Sequence, residues 1–126
     1  MQRLHVATRY SEAAIHQGVV YLAGQVPEDA SAEIAGQTEQ VLTLIDQLLA
    51  QAGSDKTQLL MVTIYLADMA DYAAMNQVWD AWLLAGHAPP RACVQARLAD
   101  QRWKVEMVVT AAQSRIAADA GFSAST

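Results

Sequence analysis

Residues 86–110, GHAPPRACVQARLADQRWKVEMVVT, decide how the chain is read. Pro89 and Pro90 run straight into Arg91. Proline fixes its own φ and restricts the residue before it, so the guanidinium leaves the chain from a stiff base. Two apolar stretches follow, residues 92–98 and 104–111, separated by Ala99-Asp100-Gln101-Arg102 and Trp103. That spacing predicts two adjacent β-strands joined by a loop of hairpin length. Arg91 at the entry of one strand and Glu106 on its neighbour would then face one cleft. Such a pair suits a small molecule carrying a carboxylate.

Upstream, residues 58–67 (QLLMVTIYLA) are apolar on both alternating faces, which predicts a central strand covered on both sides. Asp68 is placed to cap a helix running to about Leu84, with Asp71 in its first turn and Tyr72, Met75, Val78 or Trp79, and Trp82 as its apolar stripe. Trp79 and Trp82 read as core or interface anchors. An earlier helix spans residues 31–52: Ser31 or Asp29 caps it, Glu33 sits in its first turn, Ile34, Val41, Ile45, Leu48 and Ala52 form its buried stripe, and Gly53 ends it. Before it lie a short strand, residues 3–7, with Leu4 and Val6 on one face, and a hairpin of residues 13–17 and 19–25 turning at Gly18. Gly24 in an apolar strand marks a bulge or a close approach to the backbone. The element order predicts an α+β domain over residues 1–112, with two helices on one face of a mostly antiparallel sheet. The uncovered face calls for a partner, most simply another copy of the chain. Residues 113–126, small and weakly patterned, are expected to form a disordered tail.

Bulk properties narrow the function classes. The chain has 126 residues, 53% of them hydrophobic, which is enough to bury one core without staples. A formal net charge of −5 without a basic stripe argues against nucleic acid as the main partner. No apolar run reaches membrane-spanning length and the first residues lack a signal-peptide core, so the expected place is the cytoplasm. The single cysteine excludes an internal disulfide.

Arg91 reads either as a carboxylate anchor or as a surface ion pair. Glu106 lies on an apolar strand, where a carboxylate must be paired or wet; it either pairs with Lys104 or an arginine, or orients a water for attack. Cys93 shares a strand face with Arg91 and defaults to an unreactive thiol. His87 reads as a solvated loop residue. The sequence has no phosphate-cradling glycine loop, no paired metal-ligand spacing and no GxSxG, so a reaction without cofactor or metal fits better.

Tyr10-Ser11, VVYLAGQVP (residues 19–27), DYAAMNQVWDAW (71–82), HAPPRACVQARL (87–98) and KVEMVV (104–109) occur in an order and spacing that resemble the reactive intermediate deaminase family, also called Rid or YjgF, over roughly residues 3–111. The resemblance implies a chorismate-mutase-like α+β fold, a homotrimer with clefts between subunits, and hydrolysis of 2-imino acids and enamines such as 2-aminoacrylate to 2-keto acids and ammonia. It implies that Arg91 binds the substrate carboxylate, that Glu106 orients the attacking water, and that Tyr10, Gly24, Asn76 and Cys93 line the pocket. Ala92, Gln95 and Ala99-Asp100 depart from the best-known subgroup, which usually has Ser or Thr, Glu, and Leu-Pro there. These changes bear on substrate range more than on the reaction. A trimer of the same fold that only binds a small carboxylate is the alternative; it would need Arg91 but not Glu106.

Overall fold

The apolar stripe expected of the first helix is the one that forms. In the computed structural model, which describes residues 1–119, Ile34, Val41, Ile45, Leu48 and Ala52 are all buried along α1 (Ile34–Gln51) and its C-terminal cap. The helix starts later than expected because the Asp29 carboxylate is used locally. It accepts from the Ser31 amide (3.0 Å) and hydroxyl (2.6 Å), closing a turn outside the helix, and Glu33 is the last extended residue. Gly53, with φ +78°, ends the helix as expected.

Among the described residues, six strands form one sheet: β1 (Gln2–Val6), β2 (Ser11–His16), β3 (Val19–Leu22), β4 (Leu59–Leu66), β5 (Arg91–Gln95) and β6 (Val105–Ala112), in the order β1-β2-β3-β6-β4-β5. All neighbours are antiparallel except β4 and β5. The hairpin expected between residues 92–98 and 104–111 does not form. β4 lies between β5 and β6, pairing in parallel with the first and antiparallel with the second. A parallel neighbour needs a crossover, and α2 (Tyr72–Trp82) supplies it between β4 and β5. The β2–β3 hairpin does form; Gln17 and Gly18 both take positive φ in its turn.

Leu4 is buried but Val6 is 68% exposed, although alternation put them on one face. His5 between them adopts φ +52°, which breaks the pleat. The second helix also begins later. Asp68 accepts from the Ala70 amide (2.9 Å) and caps the 3-10 turn Met69–Asp71, and α2 follows with Met75 and Trp79 buried and Tyr72 exposed.

Among the described residues, β4 is covered on one side only. Val62, Ile64 and Leu66 pack under the helices with Met107 and Val109 of β6. The opposite face carries Tyr21, Met61, Thr63, Tyr65, Val108 and Thr110, paired across the ladders and at least partly open to solvent. Residue 113, the expected start of a disordered tail, is instead tied down: Gln113 is buried and donates to the Ala52 carbonyl (3.0 Å), the Ser114 amide bonds to Gly53 O (2.8 Å), and α3 (Arg115–Asp119) follows. The remainder of the expected tail lies outside the described residues.

One buried polar residue joins α1 to the segment that leads into the strand carrying Glu106. Gln37 Nε2 lies 3.0–3.1 Å from the carbonyls of Ala30, Ala32 and Arg102, and its Oε1 accepts from the Lys104 amide at 2.7 Å. Gln37→Leu removes both functions and strands several polar groups, so a loss of about 3 kcal/mol is expected in denaturant melts. A change below about 1 kcal/mol would mean that water replaces the amide freely.

Candidate active site

Arg91 opens β5 opposite Val62, and the Val62 amide bonds to the Pro90 carbonyl at 3.1 Å, so the proline loop is pinned to the central strand. Because Val62 is buried beneath the helices, Arg91 lies on the same face and reaches α2. Its Nη1 donates to Asn76 Oδ1 at 2.8 Å and its Nη2 to Tyr72 Oη at 3.2 Å. The guanidinium carbon stands 5.4 Å from the Trp79 ring centre and 5.8 Å from that of Tyr72. Tyr72, Asn76 and Trp79 are spaced four and three apart, so a single helix face presents all three. Among the described residues no carboxylate pairs with Arg91. A half-buried cation thus keeps N–H donors for something else.

Cys93 pairs with Ile64 and shares the Arg91 face. Burial raises its thiol pKa, and the Arg91 charge only partly offsets that, so the thiol stays protonated at neutral pH. Trp79 is buried as an anchor and also serves as a shelf for Arg91, a role its spacing alone did not suggest. His87 is exposed in its loop.

Glu106 pairs with Tyr65 of β4 and therefore lies on the other face of the sheet. The expected cleft holding Arg91 and Glu106 within one chain does not exist; the insertion of β4 and its register put the two side chains on opposite faces. Glu106 lines a concavity with Tyr65, Ala96, Arg97, Leu98 and Val108. Among the described residues it has no ion-pair partner, Lys104 included. Burial raises the pKa of its carboxyl.

Gly24 explains where that carboxylate sits. The Gln25 amide and carbonyl bond to Met107 (2.8 and 3.1 Å), which draws the chain at Gly24 against β6. A Cβ at Gly24 would collide with the Glu106 carboxyl group. Of the two readings for this glycine, close approach is the one realised. Gly24→Ala should push the carboxylate aside and leave the fold standing, because the far end of the Glu106 side chain can move. Tm is expected to change little, and a structure of the variant should show the carboxylate displaced; a carboxylate left in place would mean that the backbone yields instead.

Tyr10 is exposed, one residue before β2. The Ala23 amide bonds to Glu12 O at 2.9 Å, so Tyr10 stands at the Gly24 end of the sheet. The expected residues thus fall into two groups: Arg91, Asn76 and Cys93 on the helix side, and Glu106 and Gly24, with Tyr10 nearby, towards the open face. Sequence reasoning missed Tyr72, which it placed in the buried stripe, and Arg97 and Tyr65 beside Glu106. The four-residue step from Tyr72 to Asn76 was the available signal for the first; strand pairing, which places the other two, is not local.

The sequence model described as Endoribonuclease L-PSP matches residues 1–113. A RutC family protein of Haemophilus ducreyi is 54% identical over 110 residues, covering 87% of this chain and 94% of that protein. The crystal structure of a YjgF family member from Neisseria meningitidis superposes with a TM-score of 0.87 at 50% identity, over 90% of this chain and 94% of that one. More distantly, a rat protein named 2-iminobutanoate/2-iminopropanoate deaminase is 27% identical over 82% of this chain and 80% of its own length. A match across nearly the whole described fold, with relatives this similar, establishes that the chain belongs to the YjgF/Rid family.

Proposed function

We propose that the chain hydrolyses 2-imino acids and their enamine tautomers, 2-aminoacrylate included, to 2-keto acids and ammonia, in clefts completed between subunits of a homotrimer. The observation that carries this reading is Arg91: a guanidinium oriented by Asn76 and Tyr72, stacked near Trp79, and lacking a carboxylate partner among the described residues. A substrate carboxylate supplies the missing charge through two parallel hydrogen bonds.

Because Arg91 and Glu106 occupy opposite faces, a cleft containing both takes Glu106 from the partner subunit. The open face, with Met61, Tyr65, Val94 and Val108, is apolar enough to be covered by another copy. Glu106 then accepts a proton from water as the oxygen adds to the C=N carbon and returns it to the nitrogen; the carbinolamine hydroxyl passes its proton by the same carboxylate to the nitrogen as C=O forms and the C–N bond breaks, releasing ammonia. The carbon is already electrophilic, so positioning and charge suffice. Tyr10, Gly24, Asn76 and the protonated thiol of Cys93 line the walls. The rat relative's name supports the reaction class. The net charge of −5 disfavours an RNA substrate despite the description of the family model.

An amino-acid oxidase generating 2-iminobutanoate in the presence of semicarbazide tests the reading. Added protein should divert imine from the semicarbazone to the keto acid. Semicarbazone formation equal to that in buffer alone would leave only a ligand-binding trimer, and a solution mass near 13.6 kDa would remove the shared cleft.

A further inference from the structure

The hydrogen bonds around Arg91 determine more than its orientation. A guanidinium has donors and no acceptor, so whatever it touches must present an acceptor to it. Asn76 must therefore turn Oδ1 towards Nη1, as it does, and its Nδ2 amide points elsewhere. Tyr72 must likewise offer an oxygen lone pair to Nη2, which leaves its single hydroxyl proton directed away from Arg91. Among the described residues, neither the Tyr72 hydroxyl proton nor the Asn76 amide finds an acceptor. Tyr72 is 41% exposed, so a ligand can reach it.

We propose that Tyr72 is a ligand-binding residue of this site: its hydroxyl, the Asn76 amide and the free Arg91 N–H groups form a cradle made only of donors, which selects a carboxylate over an isosteric neutral amide. This rests on the reading that Arg91 takes a substrate carboxylate. The discrimination follows from counting. A carboxylate brings acceptors only and satisfies every group. A primary amide brings two donors of its own, and one of them must face a donor, leaving polar groups unpaired. The phenol also helps to hold the guanidinium in place, with the guanidinium carbon 5.8 Å from the Tyr72 ring centre and 5.4 Å from that of Trp79.

Calorimetric titration with 2-ketobutanoate and 2-ketobutanamide, on wild type and Tyr72→Phe, tests this directly. Phenylalanine keeps the ring and the stack and removes only the hydroxyl. Wild type should bind the acid and discriminate against the amide. Tyr72→Phe should weaken acid binding about tenfold and reduce the acid-to-amide ratio by a similar factor, with Tm unchanged. A purely structural role would move Tm and leave that ratio alone, and an unchanged ratio overturns the proposal. So does failure of wild type to bind the acid at millimolar concentration. The binding readout needs no turnover. A protein that binds 2-ketobutanoate through Tyr72 yet fails the oxidase assay refutes the deaminase reading and keeps the cradle; turnover with an unchanged ratio in Tyr72→Phe does the reverse.

Discussion

Glu106→Gln is expected to lower kcat by about 10²–10³-fold with KM almost unchanged, the loss typical of removing a positioned general base. Glutamine fills the same space and keeps one acceptor, so it leaves the concavity of Tyr65, Arg97 and Val108 intact. What it cannot do is take a proton from water. The fold should tolerate the change. Burial raises the Glu106 pKa, so the folded chain favours the protonated form; the stability associated with this group is present at low pH and is lost as pH rises through the raised pKa. A neutral glutamine escapes that loss, and the variant should melt no lower than wild type at neutral pH. The same shift fixes the rate profile. Wild-type kcat should climb with pH as Glu106 ionises, with the midpoint above the usual carboxylate range, and residual activity in the variant should be flat across that limb. Steady-state rates across the pH range measure both. A variant retaining wild-type kcat would transfer the water-activating role elsewhere.

The parts of this arrangement that could be read from the sequence are the local ones. The α1 stripe, the Gly18 turn and the Gly53 cap each depend on residues a few positions apart, and all three form. The same holds for the restrained entry of Arg91 after two prolines. Strand neighbourhood is different, because β4 inserts between two strands that follow each other in the chain. The strands are also shorter than their apolar stretches: β5 ends at Gln95 and β6 begins at Val105, which leaves a connection longer than hairpins favour. Misreading that loop put Arg91 and Glu106 in one cleft. Their placement on opposite faces is decided by register, where one residue of slip exchanges faces, and nothing in either segment encodes it alone. Tyr72 was misplaced for a related reason. Its aromatic ring fits an apolar stripe, while its hydroxyl gains a partner only once β5 brings Arg91 beneath α2.

Arg91→Ala is expected to lower kcat/KM for carboxylate-bearing imines by about 10²–10³-fold, mostly through KM. Truncating one partner of a desolvated charge pair costs on the order of 2–5 kcal/mol, since the ligand carboxylate then enters the cleft unpaired. The fold has less at stake. Asn76 Oδ1 and Tyr72 Oη lose a donor, but both lie where water can reach them, so Tm should move by only a few degrees. Arg91→Lys separates charge from geometry. Lysine carries the same charge but cannot bond Asn76 and Tyr72 while offering a flat pair of N–H groups to a carboxylate, and its compact head stacks less well beside Trp79. If the fork matters, lysine recovers only a small part of the lost kcat/KM. If charge alone draws the substrate in, lysine restores most of it, and the assignment of Asn76 and Tyr72 as orienting groups fails with it. Michaelis–Menten curves for the three proteins on 2-iminobutanoate, with the same proteins melted in parallel, decide between these outcomes.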